Sequence, residues 1–215
     1  MKLSAVMATL LRLGWTAGMD FALAATFLIT WIAPDTFGEK TVHKLTFMML
    51  LEFLVVHSTG FLGALAARDM KKLERVLMTG ALLLFYVLMA GGFCAMYGGW
   101  WPLIAFTALT APKLVPIFFS PYEDEDHFWV MGSWAAMTAL YLFSIFATLA
   151  YDIPPLGVTP EVIAAQKFSV GGEWPEQPYR VMALGALYFT GLGLFAIISE
   201  IWGALARKKK VPRDS

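Results

Sequence analysis

Charged residues and cysteine are both scarce in this chain of 215 residues, and each scarcity excludes a class of protein. Only 15% of the residues are charged and 59% are hydrophobic, whereas soluble domains carry about 25% charged residues. The solvent around most of the chain is therefore expected to be lipid. The single cysteine, Cys94, excludes an internal disulfide framework, a paired-thiol relay and a cysteine-based zinc site. The formal net charge is zero, so no charge excess favours a nucleic-acid partner.

Histidine and the common catalytic motifs are scarce as well. Of the 3 histidines, only His57 lies deep inside a hydrophobic run, and a bis-histidine haem between membrane helices needs two. The chain has no Gly-x-Ser-x-Gly elbow, His-Glu-x-x-His pair or phosphate-binding P-loop. The sequence therefore predicts no cofactor, no metal and no catalytic residue, and an intramembrane enzyme is the least favoured class of function.

Hydrophobic runs of about 20 residues, separated by polar connections, make up most of the chain. Each run is long enough to cross ~30 Å of hydrocarbon as an α-helix. The sequence predicts an all-α, polytopic membrane helix bundle, with residues 1–215 as one integral membrane domain. The first run is longer than the hydrophobic core of a signal peptide, so we expect it to be retained. About six spans are predicted: 13–33, 45–66, 76–97, 100–119, 129–150 and 180–204.

The predicted fourth span, residues 100–119, is unusual because it contains prolines and a lysine. Proline removes backbone hydrogen bonds that lipid cannot replace. We therefore expect a proline-broken helix there, and a re-entrant segment is the open alternative. The residues concerned are Pro102, Pro112, Lys113 and Pro116.

Lysine and arginine are distributed unevenly between the two ends of the predicted helices. With the N-terminus inside, eleven of them lie on the cytoplasmic side, four lie outside and Lys113 lies within the membrane. Because positively charged segments resist translocation, this bias predicts that both termini are cytoplasmic, with a basic tail at 205–215. The expected location is the bacterial inner membrane.

The longest connection, residues 151–179, is predicted to lie on the outer side. Within it, Thr159, Pro160 and Glu161 form a typical helix start, with a capping oxygen, a proline at the first helical position and an early acid. We expect a short surface helix there. A solvated connector is the favoured role for this loop, and a lid or a partner-binding loop is the alternative.

Five ionisable side chains are predicted to lie at membrane depth, where a charge costs at least about 2.5 kcal/mol. At ~1.5 Å per helical residue, Asp20, Lys113 and Glu200 share one layer ~10–12 Å from the cytoplasmic boundary. They could neutralise one another if spans one, four and six are neighbours. Glu52 would lie toward the outer boundary and His57 near the midplane, ~140° apart around their helix.

Stripes of small residues occur on two of the spans that carry these charges. Gly14 and Gly18 form a small-residue stripe on the first span, and Gly193 lies on a similar stripe with Glu200 on the sixth. Small residues let helices approach closely. Both stripes are therefore expected to contact other helices.

Two interpretations of the five charged side chains stay open. In the first, Asp20, Glu52, His57, Lys113 and Glu200 line a proton or ion path, which predicts a small proton- or ion-linked transporter or permease. In the second, they hold the bundle together, which predicts a non-catalytic subunit or scaffold of a larger membrane complex. The expected partners are membrane lipids, together with other membrane subunits or further copies of the chain.

Overall fold

The structure of the protein is a computed structural model that describes residues 3–97, 99–100, 102–104, 106–107, 124–168 and 172–210. Within these ranges the chain forms helices and no strand, which confirms the predicted all-α class. Residues 102–104 and 106–107 are helical too. The longer elements are α1 (Leu3–Ile32), α2 (Thr41–Ala67), α3 (Lys72–Tyr97), α4 (Asp124–Ala150), α5 (Pro160–Gln166), α6 (Glu173–Glu176) and α7 (Pro178–Lys210).

Four of the described helices are long and apolar enough to cross a membrane, which indicates an integral membrane protein. In α1 the described apolar stretch, Ala17–Ile32, is shorter. Of the predicted fourth span, residues 108–119 lie outside the described ranges, and Lys113 lies among them. The broken helix in that span therefore stays a prediction. The candidate spans are Thr41–Leu65 in α2, Lys72–Ala95 in α3, Met131–Ala150 in α4 and Pro178–Gly203 in α7.

The first and last long helices, α1 and α7, pack against each other in antiparallel orientation. A Cβ atom at Gly185 of α7 would lie 2.3 Å from Cδ1 of Phe27, so only glycine fits beside that ring. Gly193 faces α1 in the same way, as its stripe predicts. The other predicted contact is wrong among the described residues: Gly14 and Gly18 have nothing within 4 Å of the position a Cβ would take. Small residues permit a close approach but do not supply a partner.

Helix α2 lies at the centre of the bundle and contacts α1, α3, α4 and α7. Two side chains of α4 reach its backbone. The Trp134 indole N–H donates to the carbonyl oxygen of Val56 at 2.9 Å, and the Tyr141 hydroxyl donates to that of Met49 at 2.8 Å. Gly60 makes the indole contact possible, because a Cβ there would lie 1.9 Å from Cε2 of Trp134. These bonds fix α4 antiparallel to α2.

Helix α3 packs on α2 through an apolar cluster. In this cluster Tyr86 and Ala90 of α3, together with Phe106, meet side chains of α2. Its other faces leave large apolar side chains uncovered, such as Leu84 at 60% and Leu88 at 66% exposure. A helix that is apolar all round is typical of a membrane span. The exposed faces of α3 therefore fit a lipid environment.

Residues 151–168 and 172–177 fold over one end of the bundle, which we call the loop end. The Trp31 indole N–H donates to the carbonyl oxygen of Pro154 at 2.9 Å, and the Gly157 N–H donates to that of Trp31 at 3.1 Å. A Cβ at Gly157 would lie 2.1 Å from the carbonyl oxygen of Ile32. The loop backbone is thus seated directly on the C-terminal end of α1.

Helix α5 begins directly after Thr159, with Pro160 at its first position, as the sequence predicts. The predicted cap is wrong, because the Thr159 side chain makes no capping hydrogen bond to the backbone. A hydrogen bond from the Thr159 side chain holds the pKa of the Glu161 carboxyl below its ordinary value. At the other end of α5, the buried amide of Gln166 accepts from the backbone N–H of His43 at 3.1 Å and donates to the carbonyl oxygen of Glu39 at 2.8 Å. These two bonds dock α5 on the N-terminus of α2.

Arg180, at the start of α7, closes the C-terminal end of α4. Its Nη1 donates to the carbonyl oxygens of Thr148 and Tyr151, and its Nε donates to Oε1 of Gln177 at 2.7 Å. Carbonyls at a helix C-terminus lack partners within the helix and carry partial negative charge. The guanidinium of Arg180 donates to these carbonyls and also places a positive charge beside them. The connection between α4 and α7 is therefore anchored at α1, α2 and α4.

Candidate functional site

The contact that joins two predicted membrane-depth regions is a hydrogen bond between α2 and α7. The hydroxyl of Tyr188 donates to Oε1 of Glu52 at 2.9 Å. Tyr188 is fully buried, and the side chain of Glu52 is half-buried. Glu52 lies eleven residues into α2, which places it ~16 Å from the helix start at 1.5 Å per residue. The carboxyl is therefore held in the middle of the candidate span Thr41–Leu65, and not toward the outer boundary, where the sequence predicted it. The reason is that the helix begins four residues before the predicted span.

Aromatic rings surround this hydrogen bond. The rings of Tyr141 and Tyr188 meet edge to face, with centroids 5.2 Å apart and planes at 89°. Phe189 lies on the other side of Tyr188 at 5.1 Å and contacts Phe27 of α1 at 5.7 Å. Offset and edge-on pairs of this kind are the favourable geometries for aromatic rings. The cluster therefore fixes the Tyr188 hydroxyl and excludes bulk water from one side of the Glu52 carboxyl.

A hydrogen bond and a ring contact join three side chains, Glu52, Tyr141 and Tyr188, which we call the Tyr188 cluster. It draws one side chain from each of α2, α4 and α7.

His57 lies one and a half turns beyond Glu52 on α2, and its described contacts stay within that helix. Its Nδ1 lies 3.1 Å from the carbonyl oxygen of Phe53, and its ring lies 4.0 Å from that of Phe53. The neighbouring hydroxyls of Ser58 and Thr59 both donate to the carbonyl oxygen of Val55. Glu52 is therefore turned toward α7, whereas the described contacts of His57 are with its own helix. The two side chains differ in direction, as their ~140° separation predicts.

The other predicted membrane-depth charges are placed as follows. Glu200 is half-buried on α7, three turns beyond Tyr188, and Asp20 is half-buried on α1. Because α1 and α7 are adjacent, two of the three helices in the predicted ion-pair layer are neighbours. Lys113 lies outside the described residues, so the layer itself stays a prediction.

Sequence reasoning missed Tyr141 and Tyr188, which resemble ordinary packing residues in an apolar run. A signal for them does exist. A phenol hydroxyl in hydrocarbon needs a hydrogen-bond partner, so a tyrosine at the middle of a span marks a helix–helix contact. Such a search would have pointed to Tyr188 and Tyr141, both almost fully buried.

Among the residues that the structure describes, no group of three or more histidine, cysteine, aspartate or glutamate side chains could hold a metal ion. The Tyr188 cluster itself consists of the Glu52 carboxyl and two phenol hydroxyls. Comparison with family models, curated proteins and solved structures found no match for this chain.

Proposed function

We propose that this chain is a small proton-linked membrane permease in which the Tyr188 cluster binds and releases the proton. The observation that carries the proposal is the hydrogen bond from the buried Tyr188 hydroxyl to the Glu52 carboxyl in the middle of a candidate span. Ionisable groups at membrane depth are expensive and are often used in proton relays. Asp20 is half-buried on α1, the helix packed against α7, and is the second carboxyl that the proposal assigns to receive the proton.

Proton binding at Glu52 would change a contact between helices. An ionised carboxylate accepts the Tyr188 hydroxyl in a charge-assisted hydrogen bond, roughly twice as strong as a neutral one. A protonated carboxyl can donate as well as accept, so the same pair can rearrange. Protonation therefore weakens the bond between α2 and α7. The proton then favours an arrangement of these helices in which the bond is broken over the one in which it is made.

The orientation in this proposal follows the basic residues. The turn between α2 and α3 and the first residues of α3 lie at the end of the bundle opposite the loop end. Together they carry Arg68, Lys71, Lys72 and Arg75. We call this the basic end. Placing it in the cytoplasm puts both chain termini there and the anchored loop outside.

The first test measures proton binding without a substrate. Infrared difference spectra of the purified protein between acidic and neutral pH should contain a protonated-carboxyl band that Glu52→Gln removes. Glu39→Gln, at an exposed carboxyl of the loop end, is the matched control and should leave the band unchanged. A band that survives in Glu52→Gln at full height would refute the assignment of Glu52.

The second test measures flux. In proteoliposomes containing a pH-sensitive dye, a potassium diffusion potential should drive protons inward through the wild type and the Glu39→Gln variant. Glu52→Gln should reduce this flux to the level of empty liposomes while inserting normally. Equal flux in Glu52→Gln and wild type would remove the proposal.

A second candidate function is a non-catalytic subunit of a membrane complex, and the uncovered apolar faces of α3 and α4 favour it. In this case the Tyr188 cluster only ties helices together. Purification in a mild detergent should then recover the chain in a larger assembly. A lone monomer at every detergent concentration would count heavily against this candidate.

A further inference from the structure

An apolar groove runs between α2 and α3 near the basic end. Its walls include Phe61 and Leu65 of α2 and Met78, Leu82 and Phe85 of α3, and its volume is about 650 Å³. Volumes of ~300–1,000 Å³ are typical of sites that hold a small ligand. The groove exists because Ala64 and Ala81, which also line it, leave space that larger side chains would fill.

A single cation lies at the edge of this apolar space. Arg68 lines the groove, is exposed, and follows the last residue of α2. Among the described residues its guanidinium makes no hydrogen bond or ion pair, whereas its carbonyl oxygen accepts from Nη2 of Arg75 at 3.4 Å. The guanidinium is therefore available to an anion at the edge of the groove.

The surroundings of Arg68 favour an anion as well. Residues 68–75 carry four basic side chains and two acidic ones, and all but Arg75 of the basic ones are exposed. A basic segment next to a membrane span attracts anionic headgroups, with an effect of about 1 kcal/mol per cation, which is about fivefold in affinity. The groove therefore combines an apolar body with a positive edge.

We propose that this groove binds one anionic phospholipid, with an acyl chain between α2 and α3 and the phosphate against Arg68. Charge complementarity selects an anionic headgroup, and the apolar walls select an acyl chain over a free phosphate. The groove lies on the α3 side of α2, away from the bond between α2 and α7 that forms the Tyr188 cluster. The lipid site therefore requires α2 and α3 to be inserted in the membrane, and it does not depend on proton binding at the Tyr188 cluster.

The experiment is native mass spectrometry of the purified full-length chain in detergent with added palmitoyl-oleoyl phosphatidylglycerol. Phosphatidylcholine with the same acyl chains and glycerol phosphate are the comparison probes. Wild type should retain one phosphatidylglycerol in preference to phosphatidylcholine, and glycerol phosphate should not compete. Equal retention of the two lipids, or competition by glycerol phosphate at the same concentration, would overturn the proposal.

Three variants locate the site. Arg68→Gln should lower phosphatidylglycerol retention about fivefold. Arg68→Lys should preserve most of the retention, which also shows that the protein folds when this position is substituted. Lys72→Gln removes the same charge from a residue that does not line the groove. Because screening weakens a charge that is not in contact with the phosphate, retention should change by less than about twofold. Equal losses in Arg68→Gln and Lys72→Gln would reduce the effect to diffuse surface attraction and refute the site.

The groove itself is tested by Ala81→Leu, which fills part of the space between α2 and α3. It should lower retention of both lipids, because the acyl chain loses its place. Unchanged retention in a folded Ala81→Leu protein would show that the lipid binds outside the groove and would overturn the proposal. The proton flux of Glu52→Gln is a separate measurement, so the two proposals fail separately.

Discussion

At the scale of single residues, the hydroxyl of Tyr188 is the contact with the largest consequence. Tyr188→Phe removes the donor to Glu52 and is expected to destabilise the protein by about 1–2 kcal/mol, the range of hydrogen bonds between membrane helices. Thermal unfolding in detergent measures the change. Tyr151→Phe, at an exposed tyrosine, is the control and should leave the unfolding midpoint unchanged. Equal midpoints for Tyr188→Phe and wild type would show that this bond contributes nothing to the bundle.

Two glycines give a matched pair of substitutions. A Cβ at Gly60 would lie 1.9 Å from Trp134, so Gly60→Ala forces the indole away from the carbonyl of Val56 and should cost about 1–3 kcal/mol. Gly80, inside α3, has nothing within 4 Å, and Gly80→Ala should stabilise by about 0.5–1 kcal/mol through its helix preference. The same unfolding measurement compares them. A Gly60→Ala protein as stable as Gly80→Ala would contradict the tight contact described here.

The sequence predicted which single residues are chemically unusual but not what each one contacts. Asp20, Glu52 and Glu200 are conspicuous because charges are rare in apolar runs. Tyr188 is not conspicuous, since its ring fits an apolar run and only its hydroxyl needs a partner. The partner, Glu52, is 136 residues away in the chain, and no local pattern encodes a contact at that separation.

At the scale of elements, α5 is held by one buried amide. Gln166→Leu removes the bonds to the His43 N–H and the Glu39 carbonyl, so the free energy of opening this loop should fall by about 1–3 kcal/mol. Hydrogen exchange of the amides in α5 should then rise by about tenfold or more. Ala165→Gln, at an exposed position of the same helix, is the control and should leave the exchange rates nearly unchanged. Equal protection in the Leu variant would mean that other contacts hold α5.

Helix positions follow from the apolar runs more directly than helix neighbours do. Helix α2 extends from Thr41 to Ala67, where the predicted span covers 45–66, because backbone hydrogen bonding begins four residues before the predicted span. The pairing of α1 with α7 could not be predicted, since these helices come from opposite ends of the chain. The contact at Gly185 became visible only once the ring of Phe27 was placed against it.

At the scale of the whole molecule, the described helices divide the polar surface between two ends. The loop end carries the anchored residues 151–168 and 172–177, and the basic end carries the turn between α2 and α3. Sequence gives the charge bias that orients such a bundle, and packing explains how these residues are held on the loop end. Which end faces the cytoplasm is a property of insertion, since the bias acts on the chain as it enters the membrane.

Cysteine labelling tests that orientation, and the single native cysteine makes it simple. In a Cys94→Ser background, Lys40→Cys places a thiol at an exposed site of the loop end, and Lys72→Cys places one at an exposed site of the basic end. A maleimide that cannot cross the membrane should label the first variant in intact spheroplasts and the second only after lysis. Labelling of the Lys72→Cys variant in intact spheroplasts would show that the bundle has the opposite orientation in the membrane. Inversion would place the groove beside Arg68 in the outer leaflet and reverse the direction in which the Tyr188 cluster receives its proton.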